Sequence, residues 1–282
     1  MKKLLIAAAF VAAIHTNAQV KTPQASLKSQ IEQAVGLTNV EVEYFRPAKK
    51  GRLVFGDLVP YGKLWRTGAN QNTTIAFDTD IEIEGTTVTA GKYALFTIPK
   101  AENWDVILYK TTDNWGLPKE WNDADIAFKT VVKPQQINKE VEYFTINVTP
   151  ENNNQGIIDI SWERTMISLP FKVPTHQIAM ESIKNNLNAN AKASDYYAAG
   201  GYLYTSGEDP KKALEYVNRA IEMQSGEAPF YMLRQKALIQ AANGDKKGAI
   251  ETAKQSLSAA EKAGNDDYVK MNRTSILEWS KS

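Results

Sequence analysis

The segment RPAKKGRLVFGDLVPYGKLWRTGAN occupies residues 46–70 and sets the main structural question for the N-terminal half of this chain. It contains three arginines, three aromatic residues, two prolines and four glycines, a mixture that fits neither a plain helix nor a plain alternating strand. Glycine permits positive φ and proline fixes φ, so this composition predicts short extended pieces joined by turns. We expect the arginines and aromatic side chains to lie on or between those pieces.

Period-2 alternation of apolar and polar residues surrounds this segment, beginning at Val40–Tyr44 after a short amphipathic lead-in at 27–35. Gly, Pro, Asn and Asp clusters separate further predicted strands at 73–78, 81–84, 87–88, 93–98, 105–109, 126–132, 142–148, 157–162 and 167–173. Many short strands at such spacing predict an antiparallel β-sandwich or barrel-like domain. No helix-length segment separates the strands, which argues against a parallel α/β sheet.

The composition changes after Pro174 to alanine-rich amphipathic stretches, which predict helices. The pairs Gly201/Ala213 and Ala237/Ala249 repeat with a spacing of 36 residues, close to the ~34 of tetratricopeptide repeats. We therefore predict tetratricopeptide-like helical hairpins, with Gly201 and Ala213 at the point where two helices nearly touch. The predicted fold is an all-β domain followed by an α-helical domain.

Several uncommon runs identify a family resemblance between about residues 40 and 173: Arg46-Pro47, Gly51-Arg52, residues 55–62 (FGDLVPYG), residues 65–70 (WRTGAN) and residues 90–99 (AGKYALFTIP). These runs resemble the exported bacterial proteins grouped as domain of unknown function 2911. The resemblance implies export and brings no established activity with it.

The N-terminus has a basic start at Lys2-Lys3, an apolar run and a small-residue end at Ala18, which is typical of a secretory signal peptide. The apolar run is short of the ~20 residues that a spanning helix needs. We predict a signal peptide at 1–18, an all-β domain at 19–174 and a tetratricopeptide-like domain at 175–282. With no cysteine the exported product is not a lipoprotein, and it is periplasmic or secreted.

Charge and residue counts exclude several function classes. Removal of Lys2 and Lys3 leaves 31 basic against 32 acidic residues, which gives no electrostatic basis for binding nucleic acid. His176 is the only histidine beyond the signal peptide, so a multi-histidine metal site is not expected, and its position at the junction favours a structural role. No phosphate-binding glycine motif is present. We predict no cofactor, no metal, no membrane span and no assignable catalytic residue.

The best candidate ligand site is the opening segment itself. Arginine forks suit carboxylate or phosphate, and aromatic rings stack on sugars or other planar groups. The proposed binding residues are Arg46, Arg52, Tyr61, Trp65, Arg66 and Asn70. The alternative is structural: Trp65 and Phe55 belong to the core, and the arginines pair with Asp57, Glu43 or Asp78 to fix a loop.

In the helical half, a curved array of hairpins would present the first helix of each unit, here residues 196–205 and 230–241, to a protein partner. Tyr202, Tyr231 and Arg234 are the predicted contacts. The leading interpretation is a non-catalytic envelope protein whose β domain binds a glycan, peptide or anionic ligand and whose helices dock a partner. A carboxylate-dependent hydrolase of envelope or imported polymer and a purely structural or assembly factor are the alternatives.

Overall fold

The computed structural model describes residues 22–281. The predicted signal peptide at 1–18 and its cleavage point lie outside the described residues. Within the described part, ten strands are followed by six helices. The prediction of an all-β part followed by a helical part is confirmed.

The strands form two antiparallel sheets. A six-stranded sheet has the order β1-β2-β3-β6-β7-β8, and a four-stranded sheet has the order β5-β4-β10-β9. The bounds are β1 Leu27–Val35, β2 Thr38–Arg46, β3 Thr74–Phe77, β4 Ile81–Ile83, β5 Thr86–Val88, β6 Gly91–Pro99, β7 Trp104–Tyr109, β8 Ile126–Val132, β9 Gln135–Asn152 and β10 Gln155–Lys172. One apolar cluster contains buried residues of both sheets, so the two sheets pack as a sandwich.

Two details of the strand prediction need correction. The lead-in at 27–35 is a full strand, β1, paired with β2 from Leu27↔Arg46 to Val35↔Thr38. The predicted strands at 157–162 and 167–173 belong to one strand, β10, because a bulge at Glu163 bends that strand without ending it. Glu163 has a φ of 57° at this bulge.

The helical half begins directly after the last strand. The bounds are α1 Thr175–Asn186, α2 Ala193–Ser206, α3 Pro210–Glu222, α4 Phe230–Ala242, α5 Lys246–Lys262 and α6 Asp266–Ser280. Successive helices from α2 to α6 contact each other in order, and α4 also contacts α2 and α6. Side chains of Asp209, Asp245 and Asn265 accept hydrogen bonds from backbone N–H groups at the starts of α3, α5 and α6.

Small residues allow these helices to approach closely, but not in the predicted pairing. Ala213 is fully buried, and the residue opposite it is Gly200: a Cβ at Gly200 would lie 2.9 Å from the carbonyl oxygen of Ala213 and 2.6 Å from Val217 Cγ2. Gly201, which we expected there, faces α4, where a Cβ would lie 2.8 Å from Gln235 Nε2. The observed contact residue therefore differs from the predicted one by one position, which corresponds to a rotation of about 100° around the helix axis.

Candidate functional site

Residues 46–70 cross one end of the sandwich and connect its two sheets. Ala48 forms an isolated bridge with Tyr143 of β9, and Trp65 forms one with Thr97 of β6. Between these two points Val59 N–H donates to the carbonyl of Val54 at 2.8 Å. The segment therefore has the predicted character of short extended pieces joined by turns, and its position is fixed at both sheets.

The end of this segment holds an unfavourable backbone conformation. Thr67 is β-branched and fully buried, yet its φ is 54°, in the left-handed region that such residues rarely adopt. Thr73 Oγ1 donates to the Thr67 carbonyl at 2.5 Å, and the Thr67 and Thr97 hydroxyls lie 3.1 Å apart. Gly68 follows with a φ of 150°. Such strain persists only where neighbouring contacts enforce it, and it is concentrated at functional sites.

Aromatic rings fill the sandwich beneath the segment. Trp65 lies nearly parallel to Trp162 of β10, with ring centroids 6.1 Å apart and an interplanar angle of 18°. Phe144 contacts both tryptophans edge-on, and Phe55 contacts both as well. Phe55 is buried and Trp65 is half-buried against the core, as the structural alternative expected.

A cavity of about 620 Å³ opens above these rings. Its size is within the range of small-molecule sites. The strained loop, the turn around residue 59 and the strand β10 all contribute to its wall. It is lined by Ala25, Ser26, Pro47, Ala48, Lys50, Arg52, Leu58, Val59, Trp65, Arg66, Gly68, Ala69 and Trp162.

Among the described residues of the lining, the charged ones are all cations: Lys50, Arg52 and Arg66. Within the described part of the chain, Arg66 forms no salt bridge, and its Nε is buried without a hydrogen-bond acceptor. Arg52 uses its Nε and one terminal nitrogen on the carbonyls of Lys49 and Ala48, at 2.9 and 2.6 Å. Neither arginine forms a salt bridge with a carboxylate of residues 22–281, and Arg66 Nη1 lies beside Gly116, 3.3 Å from the point where a Cβ of that residue would be. The two arginines of the cavity wall therefore have no ion-pair partner in the described part of the chain.

The loop that carries Lys50 and Arg52 is fastened to the four-stranded sheet by ionic contacts. Lys49 Nζ pairs with Glu140 and lies 3.6 Å from Glu163 Oε1. The hydrogen bond to Glu140 raises the pKa of Lys49, and the same contact lowers the pKa of Glu140. The backbone N–H of Lys50 donates to Glu142 Oε1 at 2.9 Å. These carboxylates bind the loop backbone and Lys49 and lie outside the cavity lining.

Of the six predicted ligand residues, the structure brings Arg52, Trp65 and Arg66 together in this lining. Arg46 instead connects the sheets, with Nε donating to the carbonyl of Phe144 at 3.0 Å and Nη2 to Thr145 Oγ1 at 2.8 Å. Tyr61 is exposed and covers Gly56, and Asn70 lies in the loop with a φ of 56°. The arginine partners that the structural alternative named, Asp57, Glu43 and Asp78, form no salt bridge with these arginines among residues 22–281.

Sequence reasoning missed four lining residues that matter: Lys50, Leu58, Val59 and Trp162. Lys50, Leu58 and Val59 lie inside the same segment, so the segment itself was the available signal. Trp162 is more than ninety positions further along the chain, and only the pairing of β10 places it here.

The three predicted partner contacts lie on α2 and α4 and are half-buried. Tyr202 stacks on His176 of α1, with its hydroxyl 3.1 Å from His176 Nδ1. Tyr231 contacts Tyr197 edge-on. Arg234 donates a hydrogen bond to Asn272 Oδ1 at 3.4 Å. Burial lowers the pKa of Arg234, and nearby Tyr204, Tyr268 and Glu278 offset this only in part. Tyr231 and Arg234 thus share one aromatic surface, whereas Tyr202 lies beside α1.

The described residues contain no group of three or more His, Cys, Asp or Glu side chains arranged to hold a metal ion. None of the helices between residues 22 and 281 has the length and apolar character needed to cross a membrane.

The comparisons with known proteins concern the β-sandwich. No curated protein and no solved structure matched the chain significantly. A family model described as "Protein of unknown function (DUF2911)" matches residues 26–171, which is just over half of the chain and covers the sandwich from Ser26 to the last residues of β10. The chain therefore belongs to this family.

Proposed function

We propose that this protein is an exported, non-catalytic binding protein whose β-sandwich takes an anionic small-molecule ligand in the cavity above Trp65 and Trp162. The observation that carries the proposal is the charge of the lining, which has three cationic side chains and no carboxylate among the described residues. Arginine binds carboxylate and phosphate groups through strong charge-assisted hydrogen bonds. The unpaired Arg66 is the group we assign to the ligand's negative charge.

The packing around the cavity supports binding without large rearrangement. Two bridges fix the ends of the segment to different sheets, and buried hydroxyl contacts enforce the strained Thr67. A site held in its binding geometry loses less conformational entropy when the ligand arrives. We regard the strain at Thr67 as the cost of that preorganisation.

The hydrolase alternative is less well supported at this cavity. Hydrolysis by two carboxylates needs acidic side chains about 5–9 Å apart facing the substrate. The lining contains no Asp or Glu from residues 22–281, and Glu140 and Glu163, which lie nearby, pair with Lys49.

We further propose that the helices are tetratricopeptide-like hairpins that dock a protein partner. In support, α2, α4 and α6 contribute half-buried aromatic residues around Arg234, among them Tyr231 and Tyr268. Aromatic residues and arginine dominate the energetics of protein interfaces. Because Tyr202 stacks on His176, we rank Tyr231 and Arg234 above it as contacts.

Export is proposed from the N-terminal sequence alone, in which a basic start and an apolar run precede Ala18. Mass spectrometry of the protein from an envelope fraction should show Gln19 or Val20 as the first residue. Intact residues 1–18 on the envelope-associated protein would contradict export by this route.

Calorimetry with matched pairs of charged and neutral compounds tests the ligand proposal. We expect benzoate and glutarate to bind more tightly than benzamide and glutaramide, and Arg66→Gln to reduce the preference. Loss of a charged hydrogen bond should weaken binding about tenfold or more. Lys254→Gln, on the exposed side of α5, is the control and should bind as the wild type does. Equal binding by wild type and Arg66→Gln, or no binding of any anion, would refute the proposal.

A further inference from the structure

We propose that the ligand is amphiphilic, a hydrophobic monoanion with one carboxylate or phosphate head and an apolar tail. This rests on the proposed function, since it assumes that the cavity is a ligand site. It adds the chemical class of the ligand and assigns the head to the arginines and the tail to the aromatic floor.

The first reason is that the lining has few neutral polar groups. Apart from the three cations, Ser26 is the only lining residue between positions 22 and 281 with a hydroxyl or amide side chain. The indole N–H groups are already used: Trp65 Nε1 donates to the carbonyl of Gly68 and Trp162 Nε1 to that of Glu142, each at 3.1 Å. The half-buried ring of Trp65 therefore presents hydrocarbon to the cavity, and the buried Trp162 supports it from beneath.

The second reason is the apolar area around the cations. Leu58 and Val59 line the cavity beside Trp65 and Trp162. Leu58 is 38% exposed, and Leu53 on the same turn is 59% exposed. Contiguous exposed apolar surface beside a cavity commonly marks an interaction site. An aliphatic or aromatic tail would cover Leu58 and remove its surface from water, at about 25 cal/mol for each Å² buried.

These features separate an amphiphile from the other ligand classes. A glycan needs many hydrogen-bonding groups, and this lining offers no Asp, Glu, Asn or Gln among the described residues. A small polyanion such as phosphate or citrate would use the cations but would leave the exposed surface of Trp65 and Leu58 in contact with water. A hydrophobic monoanion satisfies both halves of the lining.

The test is isothermal calorimetry of the mature protein with octanoate, octyl phosphate, octanol and acetate. We expect octanoate or octyl phosphate to bind at least tenfold more tightly than octanol, which lacks the charge, and than acetate, which lacks the tail. The tighter of the two anions identifies the head group. Arg66→Gln should weaken octanoate binding about tenfold or more and leave octanol unchanged. If Arg66→Gln does not fold, Arg52→Gln at an exposed position replaces it.

The outcomes distinguish this inference from the proposed function. Acetate binding as tightly as octanoate would overturn the proposal of an amphiphilic ligand and leave an anion site. Octanol binding as tightly as both octanoate and octyl phosphate, or no binding by any compound, would overturn both proposals. If the protein does not bind octanoate but sediments with phosphatidylglycerol vesicles, the proposal of an amphiphilic ligand is also overturned. The apolar turn would then contact a membrane surface.

Discussion

Trp65 and Trp162 lie nearly parallel, 6.1 Å apart between ring centroids, one in the strained segment and the other in the long strand β10. Because each ring belongs to a different part of the chain, their contact joins the segment to the four-stranded sheet. The same two rings line the proposed ligand cavity. Stability of the sandwich end and shape of the cavity therefore depend on the same residues.

Trp162→Ala should lower the free energy of unfolding by about 3–5 kcal/mol, because it removes a buried ring and leaves a cavity. Trp162 is 2% exposed. Trp115→Ala is the matched control, since Trp115 is 74% exposed and should change stability by no more than about 0.5 kcal/mol. Urea denaturation measures both. Similar costs for the two substitutions would contradict the assigned core.

Asp105 should make the stability of the sandwich depend on pH. Burial acts to raise the pKa of Asp105, but hydrogen bonds and attraction from Lys100 and Lys129 outweigh it, and the pKa is lowered. A lowered pKa stabilises the fold above the unfolded value of about 3.9, and this stabilisation disappears as the pH falls through the folded pKa.

Asp105→Asn should therefore cost about 1 kcal/mol at pH 7, a modest value because both lysines are partly exposed. The cost should shrink in urea titrations as the pH is lowered from 5 to 3. A cost that stays constant over that interval would mean that the ion pairs do not stabilise the fold.

Gly200 and Gly201 allow a sharp test of helix packing. Gly200→Ala places a methyl group 2.9 Å from the backbone oxygen of Ala213, so α2 and α3 must separate and the protein should lose about 1–3 kcal/mol. Gly201→Ala meets the end of the flexible Gln235 side chain, and the gain in helix propensity of about 1 kcal/mol should offset the shift. Thermal melting of both variants gives the comparison. A larger loss of stability for Gly201→Ala than for Gly200→Ala would contradict the contact between Gly200 and Ala213.

The two halves should prove separable at the junction. Thr175, the first residue of α1, is buried; it accepts a hydrogen bond from Leu37 N–H at 3.3 Å and donates one to the carbonyl of Asn153. A fragment of residues 19–174 should fold cooperatively but with about 1–2 kcal/mol less stability than residues 19–187, which keep these bonds. An unfolded 19–174 fragment would show that the sandwich and the helices share one core.

The sequence was sufficient to predict the strands in which apolar and polar residues alternate regularly, because a strand that is buried on one face requires that alternation. It failed for β1, where the apolar residues Leu27, Ile31 and Ala34 follow a helical spacing. Pairing with β2 through the tight turn at Gly36 overrides that local pattern, and Gly36 supplies the required φ of 57°. It also divided β10, because the bulge at Glu163 resembles a strand end when only local residues are considered.

The sequence predicted the segment that carries the candidate site, but it did not predict which of its arginines are free. The composition of residues 46–70 identified the right segment, and Arg52, Trp65 and Arg66 do line one cavity. Which arginines are free was not predictable, because it depends on partners far along the chain. Arg46 is occupied by Phe144 and Thr145.

The most direct test of the central claim is to follow the six tryptophan indole N–H signals by NMR during titration with octanoate. Single substitutions assign each signal. If the amphiphile binds above the aromatic floor, the signals of Trp65 and Trp162 should shift saturably, while that of Trp279, on α6 in the helical half, stays in place. In Arg66→Gln the same shifts should require about tenfold more octanoate. Shifts confined to Trp279, or none at Trp65 and Trp162, would contradict the account.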